Sequence, residues 1–471
     1  MPEFTQTEQL TGWGRTAPTV AHVARPFTAR QVSEALAEPL PRGAIARGLG
    51  RAYGDAAQNA GGLVLDCTGL DALGEISVDG IVTVGGGLSL DVLARAAIAT
   101  GWFLPVTPGT RHITVGGAIA SDVHGKNHHV DGSFSRYVRS LRLALPGGEV
   151  RELASNNSAE EGALFWATTG GMGLTGTVVE ATLQLTPAET RFMLVDTDRA
   201  QNLDELMTMM SIGDDRYRYT VAWVDMVTRG RSMGRGVLTR GDHAPFAAIP
   251  ERKLGGAREY APRALIPAVP PIPAPLISRL NMRAFNELWF RKAPAHRVDE
   301  IQSIEAFFYP LDGIDRWNTA YGSRGFLQWQ CVIPFGEEER LRAIIEAIVE
   351  GPVPVTLVVL KRFGAASEGP LSFPIPGWTL AVDFPAVKSE QFATFLDALD
   401  LEVADAGGRL YLAKDSRMRA ELMPVMYPRL DEWRAVQASI DPHGQLTSDL
   451  DRRLGITSRS ARALGLRQES V

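Results

Sequence analysis

Residues 105–129, PVTPGTRHITVGGAIASDVHGKNHH, decide how this chain is read. Pro108-Gly109-Thr110 is a turn signal. The small residues of Val115-Gly116-Gly117-Ala118-Ile119-Ala120 suit a place where the backbone closely approaches another group. His124, Lys126, Asn127, His128 and His129 follow at once. A small-residue apolar segment that delivers several ionisable groups to one spot lines a site, and the question is what that site holds.

Four further segments share this character: RGLGRAYGD at 47–55, Val84-Gly85-Gly86-Gly87, Pro146-Gly147-Gly148 and GGMGLTG at 170–176. Pro146-Gly147-Gly148 reads as a hairpin turn between strands at Leu141–Leu145 and Val150–Leu153. The other three sit at strand ends, where bare backbone N–H groups form concavities suited to a pyrophosphate. None matches the strand–GxGxxG–helix fingerprint or a P-loop with its lysine.

Composition narrows the field. A chain of 471 residues, 45% apolar, buries a large core and divides into two or three domains. A net charge of −6 argues against nucleic acid as a partner. Cys67 and Cys331 fit no metal or CxxC pattern and read as buried thiols of a reducing compartment. MPEFTQTEQLTGWGRT carries no signal-peptide pattern, and no apolar run reaches the length of a membrane span. These features favour the cytoplasmic side. A peripheral contact at the inner membrane face and export with a partner are both left open.

Texture changes along the chain. Residues 1–190 alternate short strands, glycine turns and modest helices, with Ser89 capping Leu90–Thr100, Gly101 stopping it, and Ser158 with Glu161 forming a capping box. Thr177–Leu185 alternates as a strand that Pro187 ends. Residues 191–408 carry longer strands (Arg218–Val224, Gly325–Val332, Val355–Leu360, Thr379–Phe384) with helices at Glu338–Glu350 and Gln391–Leu399. This predicts an antiparallel sheet with helices on one face. An arginine- and proline-rich insert at 228–280, including Pro267 to Leu276, reads as extended, mobile chain that could meet a lipid tail. Residues 409–471 return to the first texture.

Taken in order, the glycine segments resemble the FAD-binding domain of the vanillyl-alcohol-oxidase and aldonolactone-oxidase flavoproteins. RGLGRAYGD, TPGTRHITVGGAIASDVHGKNHH at 107–129, FYPLD at 308–312, PLSFPIPGW at 370–378, GGRLYLAKDSR at 407–417 and YPRLDEW at 427–433 are similar to one branch of that family. That branch oxidises the 2′-hydroxyl of a polyprenyl-phosphoryl ribose on the way to the arabinose donor of actinobacterial cell-wall arabinan. The resemblance runs from about Leu10 to about Leu454.

It implies an α+β fold: a two-subdomain FAD domain formed by residues 1–190 and 409–471, and a substrate-binding cap domain at 191–408. It implies FAD held by Arg47, Gly48, Leu49, Gly50, Arg51, Ala52, Tyr53, Gly109, Thr110 and Thr114. Gly116, Gly117, Ala120, Ser121, His124, Gly125, Asn127, His128, Gly176, Tyr411 and Lys414 complete that set. Arg51-Ala52-Tyr53 offers no histidine or cysteine where relatives attach the flavin, so FAD is expected to be non-covalent. Ala381 stands where some members have a cysteine, so thiol trapping there is not expected.

His124 and Lys414 are the candidates for base. In Arg409-Leu410-Tyr411-Leu412-Ala413-Lys414-Asp415, strand alternation puts Lys414 on the Leu410 face. A lysine desolvated beside another cation could titrate near neutrality, or it could stay charged and stabilise the flavin. Gln328 and Gln330 share one face of a strand, and by resemblance they meet the sugar with Tyr53, Tyr309, Lys126 and Lys361, the lysines suiting a phosphate diester. His128 and His129 lack a carboxylate or cysteine to complete a metal set, so no metal is expected. The resemblance implies a separate NADH-dependent reductase as partner, which the lack of a Rossmann fingerprint in this sequence fits. An aldonolactone or alditol oxidase using oxygen on a free sugar is the alternative, and a non-catalytic flavin-binding partner a more distant one.

Overall fold

Leu63-Val64-Leu65 is apolar on both faces and almost wholly buried, as the centre of a parallel sheet requires. The computed structural model describes residues 5–264, 266, 270 and 277–466. In it β1 (Gln6–Leu10), β2 (Thr19–Ala24), β3 (Ala44–Arg47) and β4 (Leu63–Asp66) lie in the order β1-β2-β4-β3, with β4 parallel to both neighbours. Next come β5 (Ile81–Gly85), β6 (Trp102–Phe103), β7 (Val138–Ala144), β8 (Val150–Leu153), β9 (Thr177–Gln184) and β10 (Thr186–Pro187). The order β5-β9-β7-β8 makes a second, antiparallel sheet, and β6 pairs separately with β10.

Local signals acted as expected here. Ser89 Oγ accepts from Asp91 N at 3.1 Å, and Gly101 ends the helix Leu90–Thr100 at φ 89°. Ser158 Oγ accepts from Glu161 N at 3.3 Å. Gly147 and Gly148, both at positive φ, close the β7–β8 turn. One detail differs: Pro187 is not merely a stop but pairs with Trp102 in β10.

The third sheet contains β11 (Phe192–Ala200), β12 (Tyr219–Val224), β13 (Gly236–His243), β14 (His296–Ser303), β15 (Phe326–Pro334), β16 (Leu357–Phe363), β17 (Gly377–Pro385) and β18 (Arg409–Leu410). Their order is β14-β11-β13-β12-β16-β17-β15-β18, antiparallel throughout. Val358, Leu360, Leu380, Val382 and Phe384 join the core with Leu206, Ile344 and Leu396 of the helices Leu203–Gly213, Glu338–Glu350 and Glu390–Asp405. The alternate residues of the same strands face the other way. The fold is α+β.

Two expectations need correction. The stretch 228–280 is not wholly an irregular insert, because its residues 236–243 form β13, hydrogen-bonded between β11 and β12. Its arginines hid the strand, yet they pair inward: Arg235 Nε with Asp225 at 2.9 Å, and Arg240 with Asp198. Residues 267–269 and 271–276, which carried the reading of an extended lid, lie outside the described residues. Lys414, in turn, is not on a strand. β18 ends at Leu410, and Lys414 N donates to Tyr411 O at 2.8 Å in a turn.

The stretch from Gln445 to Arg453 returns to the first sheet and the first loop. Ala44 N donates to Gln445 O at 2.7 Å, and Arg453 bridges Asp55 and Asp415 at 2.8 Å each. Both carboxylates are buried. Arg453→Met strands two buried charges and is expected to cost about 3 kcal/mol in urea unfolding.

Candidate active site

A cavity of about 1150 Å³ lies between the glycine loops and the inner face of the large sheet. Most small-ligand pockets are smaller, so this one has room for a cofactor and a substrate side by side. Residues 47–53, Gly109, Thr110, Thr114, Gly116, Gly117, Ala120, Ser121, His124, Gly125, Lys126, Gly176, Tyr411 and Lys414 line it from one side. Gln328, Gln330 and Lys361 line it from the sheet, with Val221, Trp223, Val359 and Ala381. Strand parity explains that set, because Val358, Leu360, Leu380 and Val382, which alternate with these residues, fill the core against the helices.

Three expected residues stand outside it. Asn127 donates to Pro105 O at 2.7 Å and His128 Nδ1 accepts from Gly364 N at 3.2 Å, so both brace the loop from behind. The Tyr309 hydroxyl is fully buried against Thr107 Oγ1 at 2.6 Å, while its neighbours Phe308 and Pro310 reach the wall.

The first loop has the features of an anion cradle. The N–H groups of Leu49, Gly50, Arg51 and Ala52 have no acceptor among the described residues. Arg47 gives its guanidinium to the carbonyls of Ala57 and Thr11, and Arg51 lies 3.8 Å over the Trp13 ring. Neither forms an ion pair among the described residues, and burial lowers the pKa of both. Free amides beside unpaired cations suit the pyrophosphate of FAD. The glycines at 85–87 do something else. Added Cβ atoms would stand 2.0 Å from Leu70 O, 2.0 Å from Val178 O and 1.8 Å from Cys67 O, so these residues let backbones pack.

The inner end is an amine cluster. Lys414 Nζ lies 3.8 Å over the ring of Tyr53, whose N–H donates to Ala413 O at 2.9 Å, tying the first loop to the Lys414 turn. Lys126 Nζ donates to Phe307 O and sits 4.2 Å over the Phe307 ring. Burial brings Lys126, Lys361 and Lys414 each down to about 7. Asp383 pulls Lys414 back up and Lys361 pushes it further down. His124 is held well below its ordinary value by burial, then by Lys361, so it is neutral.

His124 couples two of these groups. Its Nε2 is 2.9 Å from Gln330 Nε2, and its Nδ1 is 3.2 Å from Lys361 Nζ. A neutral imidazole has one N–H, so both neighbours cannot donate to it at once. Gln330 Nε2 also donates to Thr379 Oγ1 at 3.1 Å, whose own proton goes to Cys331 O at 2.9 Å, so the amide nitrogen faces His124 and His124 Nε2 accepts. The ring proton then lies on Nδ1, which donates to Lys361 Nζ in its neutral form.

Asp383 was missed in the sequence. It is buried, accepts from Gln328 Nε2 at 2.6 Å, leaves Oδ2 without a partner among the described residues, and titrates near 7 because of burial. A lone acid in the apolar strand Thr379-Leu380-Ala381-Val382-Asp383 was the available signal. Trp13, between Gly12 and Gly14, was another.

The FAD binding domain model matches residues 20–154, which defines the class as a flavin-binding protein. A decaprenylphosphoryl-β-D-ribose oxidase of Mycolicibacterium smegmatis is 44% identical over 96% of this chain and 98% of its own length. An uncharacterized protein of Streptomyces coelicolor is 40% identical over 78% and 100%. An alditol oxidase of a Streptomyces species is 24% identical over 94% and 98%. The chain belongs to the decaprenylphosphoryl-β-D-ribose oxidase family.

An added Cβ on Gly48 would stand 2.2 Å from Thr114 Oγ1, the cap of the helix Val115–Ala120. Gly48→Ala is expected to weaken FAD binding ~10–100-fold, about 1–3 kcal/mol. The flavin-to-protein absorbance ratio after dialysis measures it, with circular dichroism unchanged.

Proposed function

We propose that this protein oxidises the C2′ hydroxyl of a polyprenyl-phosphoryl-β-D-ribose to the 2′-keto sugar, the first half of an epimerisation toward the arabinose donor of cell-wall arabinan. The observation that carries the reading is the amine and imidazole cluster at the inner end of a cavity whose other walls suit FAD. Kinship with the mycobacterial oxidase names the sugar. FAD, when bound, would supply the hydride acceptor for C2′.

The side chains do the rest. Lys414, neutral for much of its time at physiological pH, accepts the hydroxyl proton, and Asp383 nearby favours the ammonium that forms. Gln328 and Gln330 orient the sugar from the sheet. Lys126 and Lys361 meet the phosphate diester, whose charge raises their pKa values and keeps them protonated. His124 positions Lys361 and Gln330 relative to one another. The apolar wall of Val221, Trp223, Val359 and Phe308 keeps water from the reacting carbon.

The same proposal divides the chain into an FAD-binding unit, residues 1–190 and 409–471, and a cap, 191–408. It also calls for a separate NADH-dependent reductase to return the ketone to an alcohol, and for contact with the membrane that holds the prenyl chain. No helix among the described residues is long and apolar enough to cross a membrane.

Anaerobic mixing with polyprenyl-phosphoryl ribose should bleach the flavin, and free ribose or an alditol should not. Bleaching by free sugars alone would move the assignment to a free-sugar oxidase. The bleaching rate should rise with pH through about 7, where Lys414 loses its proton. Lys414→Ala should lower it at least ~100-fold and abolish that rise.

A further inference from the structure

The helix Arg279–Lys292 carries its apolar residues on the outside. Its inward stripe includes buried Asn286, which donates to Asp225 Oδ1 at 2.8 Å, and Phe290. Its outward face leaves Leu280 77%, Leu288 70%, Phe285 52% and Trp289 46% exposed. The Phe285 and Trp289 rings stack with centroids 6.3 Å apart. A helix in contact with water alone would place these residues the other way round.

Charge on the helix is predominantly basic. RLNMRAFNELWFRK holds Arg279, Arg283, Arg291 and Lys292 against a single acid, in a chain of net charge −6. That acid, Glu287, is already paired with Arg235 at 2.7 Å and Arg291 at 2.5 Å, and Arg279 donates to Val349 O and Gly351 O, which leaves Arg283 and Lys292 turned to solvent. Phe285, Trp289 and Lys292 line the large cavity while also reaching solvent, so the apolar face is continuous with the cavity mouth.

We propose that this helix lies in the headgroup region of an anionic bilayer. Leu280, Leu288, Phe285 and Trp289 enter the acyl boundary, and exposed Arg283 and Lys292 meet lipid phosphates. A prenyl chain then passes from the bilayer to the cavity past Phe285 and Trp289 without crossing water. The passage rests on the substrate reading above, but the docking does not.

The test uses the FAD-loaded full chain and sedimentation with vesicles of phosphatidylglycerol and phosphatidylcholine, or of phosphatidylcholine alone. The protein should pellet with the anionic vesicles and less so at high salt. Leu280→Glu/Leu288→Glu, two exposed positions away from the cavity wall, should bind at least ~10-fold more weakly. Its flavin should still be bleached normally by a short-prenyl, water-soluble phosphoryl ribose. Wild-type protein left in the supernatant, or equal pelleting of the variant, would overturn the proposal. A dimer in analytical ultracentrifugation that the variant abolishes would do so too, by assigning the face to a second copy. If no ribose substrate bleaches the flavin while vesicle binding follows the expected pattern, the docking stands and the substrate reading fails.

Discussion

Desolvation of a few amines is the constraint around which this molecule is arranged. Lys126, Lys361 and Lys414 come from a loop, a strand and a turn far apart in sequence, and burial draws each to about 7. An ammonium in such a place is costly unless something anionic or polar meets it. Here the protein meets them only in part, with the Phe307 carbonyl and ring, His124 Nδ1, the Tyr53 ring and the more distant Asp383. The cluster is therefore poised to take up an anionic ligand and a proton near neutral pH.

Holding that cluster open requires a rigid frame on every side. The sheet supplies one wall by parity: alternate residues of β15, β16 and β17 are committed to a core with three helices, which leaves Gln328, Gln330, Lys361 and Ala381 no choice of direction. The glycine loops supply the opposite wall. Arg453 locks the first loop to the Lys414 turn, since it joins Asp55 to Asp415.

Much of this was legible in the sequence because it depended on local chemistry. Caps at Ser89 and Ser158, the turn at Gly147-Gly148 and the shared face of Gln328 and Gln330 follow from rules that act within a few residues. The errors have equally physical origins. β13 was hidden because Arg235 and Arg240 look like surface residues until Asp225 and Asp198 are found beside them. Asp383 looked ordinary until Gln328 of the neighbouring strand closed on it. Tyr309 lies in a recognisable motif, yet its hydroxyl points at Thr107, and the motif alone carries no direction.

What the residues determined by themselves was the class: glycine turns, small-residue segments and family motifs specify backbone geometry locally, and a flavin-binding α+β protein follows from them. Tertiary structure alone decided which ionisable groups share one cavity, how burial shifts them, and which side of the helix Arg279–Lys292 is left uncovered. Those outcomes depend on pairings between residues up to hundreds of positions apart, such as Lys361 with His124 across 237 positions. No local pattern encodes the dielectric environment that such pairings create.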